Sequence, residues 1–167
     1  MSRFVRVVAV AALVVLSSLA SFAQAPAPGP MVGTWVMNPA KSTPMTINWK
    51  ERRMEVTREA DGLTFSSVTV AMDGTSSKWG FTTKGDGKPV PVTGAQPAPD
   101  TVEAMIEPAL GDSLGGASGL FTYKVGDVVV LQSIIELAAD RKSLTVKSVR
   151  TMPDGSKAAS QTHYDKR

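Results

Sequence analysis

The chain has no cysteine and one histidine, His163. The first absence excludes a disulfide framework, a thiolate nucleophile, a Cys-based zinc site and a lipid-anchoring cysteine. The second excludes a multi-histidine metal cage, so no metal or other cofactor is expected. Aromatic residues are scarce, at 6% of 167 residues, so any core must place its few large rings carefully. An excess of one charge is missing as well, with 18 Lys and Arg against 15 Asp and Glu. The densest basic stretch, Lys50 to Arg58, is interrupted by Glu51 and Glu55. Nucleic-acid binding needs an unbroken basic patch, so nucleic acid is not an expected partner. The stretch reads instead as the mixed-charge, solvated face of a strand.

There is one long apolar run, Val7 to Leu16, preceded by Arg3 and Arg6 and followed by small residues ending in Ser21-Phe22-Ala23. A basic start, a short apolar centre and small residues at the cut describe a secretory signal peptide. Residues 1–23 are assigned to it, with cleavage after Ala25 as the alternative. The run falls short of the ~20 apolar residues that span a bilayer, so export to the periplasm or beyond is expected, without stable membrane insertion. Losing Arg3 and Arg6 takes the 18 basic residues to 16 against 15 acidic ones. Residues 24–30, rich in proline and alanine, read as an extended spacer. Residues 31–167 form one domain. A domain of this size hides roughly two-thirds of its unfolded-chain surface and needs no cross-links.

The domain alternates short β-type runs with turn dipeptides. Asp-Gly recurs at 61–62, 73–74, 86–87 and 154–155, and Gly126-Asp127 adds a fifth turn. Asp tolerates left-handed backbone and Gly takes positive φ without strain, so these pairs signal hairpins. Between them, period-two alternation marks strands. Trp49 shares a face with Met45 and Ile47; Trp79 pairs with Phe81; Phe121, Tyr123 and Val125 alternate. Leu63 and Phe65 lie on the opposite parity to Val68, Val70 and Met72, which predicts a bulge at Ser66-Ser67. Val128 to Leu131 is continuously apolar and predicts a central, well-covered strand. Thr101 to Leu110 has helical spacing interrupted by Pro108, and reads as a strand. Asn38 to Thr43 predicts a short turn. About nine antiparallel strands leave open edges unless they close, so the expected fold is an all-β, antiparallel up-and-down barrel. A two-sheet β-sandwich is the alternative.

The segment Gly33-Thr34-Trp35-Val36-Met37-Asn38-Pro39-Ala40-Lys41-Ser42 resembles the opening GTW-x-x-N-x-A-K-S of a group of secreted bacterial proteins described as lipocalin-like or calycin-like. Asp86 to Gly94, Asp100-Thr101-Val102, Ser143 to Val146 and His163 to Lys166 resemble later pieces of the same group, in the same order. The resemblance implies a small β-barrel and carries no activity with it. It also implies that Gly33-x-Trp35 sits at the closed barrel end, with a basic side chain from a late strand over the Trp35 ring. Arg150 or Arg167 is expected in that role through a cation–π contact.

Motifs with chemical content are few. Gly111-Asp112-Ser113-Leu114-Gly115 satisfies the nucleophile-elbow pattern and spells the GDSL signature, which would make Ser113 a nucleophile and His163 its base. The required strand–turn–helix context and parallel sheet are missing, and the flanking glycines read as a loop. No enzyme activity is expected. Glu103 and Glu107 form no acid–base pair, and the seven methionines after the signal peptide read as flexible core filler rather than a copper site. The remaining candidates are the inward aromatic positions Trp49, Trp79, Phe81, Phe121 and Tyr123, which suit the wall of a small-molecule site. The expectation is an exported, monomeric binding protein for a small apolar or amphipathic ligand. The alternative is an envelope-associated interaction module whose barrel is filled.

Overall fold

The computed structural model describes residues 29–43, 49–60, 62–94, 99–107 and 118–167. Its alternating runs become β1 (Gly33–Met37), β2 (Trp49–Glu59), β3 (Gly62–Ala71), β4 (Ser76–Thr83), β5 (Asp86–Pro91), β6 (Thr93–Gly94), β7 (Thr101–Glu107), β8 (Ser118–Val125), β9 (Val128–Leu137), β10 (Ser143–Thr151) and β11 (Lys157–Lys166). One 3-10 turn, Pro39–Lys41, follows β1. Pro39 opens it, where a missing N–H costs nothing.

The strands form one sheet in the order β5-β7-β8-β9-β10-β11-β1-β2-β3-β4-β6, antiparallel throughout. The two strands at its ends, β5 and β6, are consecutive in the chain and joined only through Val92. One short segment therefore pairs with β7 and then with β4, and it sews the sheet into an up-and-down barrel. Val92 N–H anchors this crossing on the Asp100 carbonyl at 2.9 Å. At the seam, a Cβ on Gly94 (φ +115°) would stand 2.3 Å from the Lys78 carbonyl oxygen, so only glycine lets the backbones meet. Closure disposes of the edges that an open sheet would expose.

Three of the predicted turns are hairpins. Asp73 joins β3 to β4, and Asp154 joins β10 to β11; each accepts a backbone N–H two residues on, at 2.9 Å. Gly126 (φ +55°) joins β8 to β9. Asp86-Gly87 makes no hairpin. It sits inside β5 at a register irregularity between Asp86 and Pro89, so its left-handed glycine serves a bulge. Asp61 lies outside the described residues, as do Met45, Ile47 and the Gly111–Ala117 part of the loop containing Ser113.

The predicted bulge at Ser66-Ser67 is absent, and β3 keeps continuous register with β2 and β4 there. The sequence shows apolar residues on both parities because both faces are sheltered. Leu63 and Phe65 face the lumen, while outward-facing Val68, also buried, lies between its register partners Arg53 and Lys78; long charged side chains at such positions can cover apolar surface with their stems. The irregularity falls instead between Trp49 and Glu51. Val128 to Leu131 is not a well-covered strand either: Val128 is 62% exposed, at the start of β9. The methionines divide. Met31 and Met37 are buried, whereas Met72, Met105 and Met152 are exposed. Gly29 and Pro30, expected in the spacer, are buried next to Met31, and Val32 N–H donates to the Gly29 carbonyl at 2.9 Å.

The core is one cluster inside the barrel. Trp35, Val56, Leu63, Phe65, Phe81, Val102, Ala104, Phe121, Ile135 and Leu144 all belong to it. Each comes from the inward parity of its strand, the arrangement that period-two patterning dictates.

Candidate binding site in the barrel

Four of the five predicted aromatic positions come together inside the barrel. Trp79 and Phe81 alternate along β4, and Phe121 and Tyr123 along β8. Trp79 meets Tyr123 edge-on at 6.0 Å between ring centres, and Phe81 lies 6.1 Å from Phe121 and 6.2 Å from Tyr123. Phe65 on β3 completes the group, stacked on Phe81 at 5.3 Å and edge-on to Phe121 at 5.2 Å. Sequence reasoning put Phe65 on a strand, on the same parity as Leu63, but not in this group. These distances are direct ring contact, across the barrel from β3 and β4 to β8. At this level the rings fill the lumen, and they make a floor rather than the wall of an empty tube.

Trp49 stands apart. It is buried at the start of β2, and its ring carries the Arg52 guanidinium 5.6 Å from its centre. The bulge between Trp49 and Glu51 turns both Trp49 and Arg52 inward, although they are three residues apart. Without that extra residue one of the two would face solvent. No alternation in the Lys50-Glu51-Arg52-Arg53 run reveals this, and Arg52 escaped sequence reasoning as a site residue.

Polar side chains share the inward faces with the rings, Ser133 standing directly opposite Phe121. On the inward parity of β9, β10 and β11, Ser133, Ser148 and Ser160 stand in one row, and the Ser133 and Ser148 hydroxyls are 2.8 Å apart. Arg52 is level with Thr69, and Thr69 with Ser77. Burial pushes the Tyr123 phenol well above its ordinary range, and the nearby Tyr164 adds to the shift. Burial raises Tyr164 too, and the Arg52 charge partly offsets it. Both phenols therefore remain O–H donors at neutral pH.

Charge is sorted by face. Along the described strands every Asp and Glu occupies the outward parity, among them Glu51, Glu55, Glu103, Glu136 and Asp165. Among the outward cations, Arg53 pairs with Glu51 and Glu55 at 3.1 and 2.9 Å, and Lys147 with Glu136 at 2.8 Å. Arg52, Arg58, Arg150 and Lys166 take the inward parity. The Arg52 Nε is buried without a hydrogen-bond partner.

The barrel-end expectation needs a correction. The side chain over Trp35 is Lys166, 4.9 Å from the ring centre. Arg150 lies at the far end of β10, level with Ala158 on β11, and is exposed. Arg167 spends its backbone N–H on the Thr34 carbonyl. Strand register decides the matter, since Lys166 is the residue opposite Trp35.

His163 faces outward on β11, with Nδ1 3.3 Å from Thr145 Oγ1 and Nε2 2.9 Å from the Gln161 amide nitrogen. Ser113, its expected partner in the hydrolase reading, lies outside the described residues. A groove of about 570 Å³ runs over the outside of β8 to β11, where Leu120, Ile134 and Val149 are exposed beside Lys147 and Gln161.

No family model and no curated protein matches the chain. Among solved structures, zebrafish ileal bile acid-binding protein complexed with cholic acid is similar. The alignment covers 83% of this chain and 100% of that one, at 10% sequence identity and a TM-score of 0.49.

Proposed function

We propose that the protein is an exported, non-catalytic binding protein that holds a small apolar or amphipathic molecule inside its barrel. The observation that carries this reading is the mixed lining of the barrel. The rings of Trp79, Phe81, Phe121 and Tyr123 meet inside it, and inward Ser133, Ser148 and Arg52 add polar groups to the same interior. An apolar guest lying on the rings would be withdrawn from water at roughly 25 cal/mol per Å², and the polar side chains would set its orientation. Trp49 would stand beside the guest's polar end. Export rests on the signal-like residues 1–23, and a monomer is the assumed state.

Fluorescence titration with the neutral probe N-phenyl-1-naphthylamine tests the reading. Saturable enhancement that weakens in Trp79→Ala is the expected result. Native mass spectrometry of freshly purified protein should also show a retained small molecule. A linear, unsaturable response together with a bare protein mass would end the proposal.

A second reading is favoured by the ring contact between Phe65 and Phe121, which closes part of the lumen. Here the barrel is a filled scaffold, and the apolar outer groove at Leu120, Ile134 and Val149 meets a partner. It predicts no uptake of the probe, and loss of partner capture in Ile134→Glu.

A further inference from the structure

We infer that the molecule held in this barrel is an anionic amphiphile, its acidic headgroup paired with the Arg52 guanidinium and its apolar body lying on the aromatic floor. The inference rests on the binding reading above and specifies its ligand class.

Arg52 is placed and left available in a way its neighbours are not. The bulge at the start of β2 turns it inward together with Trp49. Arg53, the next residue, saturates itself with two outward carboxylates at 2.9 and 3.1 Å. Arg52 engages only through its face, over the Trp49 ring, while its buried Nε has no partner. A guanidinium carries five N–H donors in a planar fork, and the edge that cation–π contact leaves free matches two acceptor oxygens. A buried donor without an acceptor is unfavourable, and no inward strand position among the described residues supplies Arg52 a carboxylate. A ligand carboxylate or sulfonate would complete the site.

The surroundings agree. Thr69 stands level with Arg52 on β3, and Tyr164 is near enough to feel the Arg52 charge while remaining protonated. These are hydroxyl donors suited to an oxyanion. Arg150, inward in parity and exposed, adds positive potential where a ligand would enter.

The test compares two probes with the same anilinonaphthalene body, anionic 1-anilinonaphthalene-8-sulfonate and neutral N-phenyl-1-naphthylamine, on the full folded domain. The wild-type protein should bind the anion more tightly. Charge-assisted hydrogen bonds imply that Arg52→Gln loses roughly ten-fold or more in affinity for the anion, with the neutral probe shifting less than about two-fold on the same scale. Arg52→Lys should recover part of the loss, because charge returns without the fork. Equal wild-type affinities, or an equal loss for both probes in Arg52→Gln, would overturn the assignment of Arg52 while leaving the binding reading standing. Binding of neither probe would overturn both. Should Arg52→Gln unfold, the wild-type preference decides, measured with added salt: the anion's advantage must shrink as ionic strength rises, and a salt-independent ratio refutes the pairing.

Discussion

The Trp35 indole is held from two directions: its Nε1–H donates to the Met31 carbonyl at 2.8 Å, and the Lys166 ammonium sits 4.9 Å from its ring centre. Gly33 makes the second contact possible. At φ +141° it adopts backbone that favours glycine, and a Cβ there would stand 2.8 Å from Lys166 Cε. Gly33, Trp35 and Lys166 thus form one cap, with Met31 packed into it. Each position has a distinct physical duty, which gives the cap a graded response to substitution.

Lys166→Met keeps the stem and removes the charge, so it is expected to cost about 0.5–1 kcal/mol, the value of a cation–π contact near solvent. Gly33→Ala adds backbone strain and displaces the lysine stem, and should cost more, on the order of 1–3 kcal/mol. Urea unfolding midpoints of the two variants check the order. A Gly33→Ala protein as stable as wild type would refute the cap.

Phe121 is fully buried and touches both Phe65 and Phe81. Phe121→Ala should cost about 3–5 kcal/mol, the transfer term plus a cavity that neighbouring rings cannot fill. Val128→Ser, at the exposed start of β9, should shift stability by less than about 0.5 kcal/mol. The contrast is informative because both residues sit in runs that look equally apolar in sequence. Denaturant unfolding, with the slope checked for constancy, measures both.

That pair of residues also shows where the sequence was legible. Period-two alternation located Trp79, Phe81, Phe121 and Tyr123 on inward faces correctly, because parity survives wherever register is regular. Turn chemistry located the Asp73 and Asp154 hairpins for the same local reason. Legibility failed where tertiary context decides. A continuous apolar run does not say which of its faces is covered, and Val128 was misread. A bulge is one extra residue with no compositional mark, so the irregularity beside Trp49 and the inward Arg52 were not foreseen, and Ser66-Ser67 was wrongly chosen. Pairing between the first and last strands is non-local in sequence, so a basic partner for Trp35 was foreseen in kind but not as Lys166. The charge sorting that motivates Arg52 emerges only once parity is fixed on every strand.

Closure of the barrel depends on Gly94, whose Cβ would collide with the Lys78 carbonyl at 2.3 Å. β6 has only two residues, paired with Trp79 and Gly80, so little else holds that seam. Gly94→Ala is expected to release it while leaving the β8 to β11 sheet intact. Hydrogen exchange should show faster exchange confined to residues around 79–80 and 92–94, with core amides on β9 and β10 unchanged. Uniform protection across the seam would mean that closure does not rest on this contact.

Acid sensitivity should trace in part to Asp165. Asn38 Nδ2–H donates to its carboxylate at 2.6 Å and Lys41 Nζ at 3.2 Å. The Asn38 hydrogen bond, then that from Lys41, holds its carboxyl below the ordinary value of 3.8. A carboxyl that is more acidic folded than unfolded binds fewer protons in the native state, so stability rises with pH through that window. The contribution is complete above the unfolded pKa of about 3.8 and is lost as pH falls through the depressed folded pKa. The site is half exposed, so its worth is modest and screened by salt. Asp165→Asn should therefore flatten the acid limb of a plot of urea midpoint against pH. Asp73 and Asp154, also held low by hydroxyl and backbone donors two residues on, should leave a residual slope in that variant. An acid limb unchanged by Asp165→Asn would show that the Asn38 and Lys41 contacts contribute nothing to folding in this range.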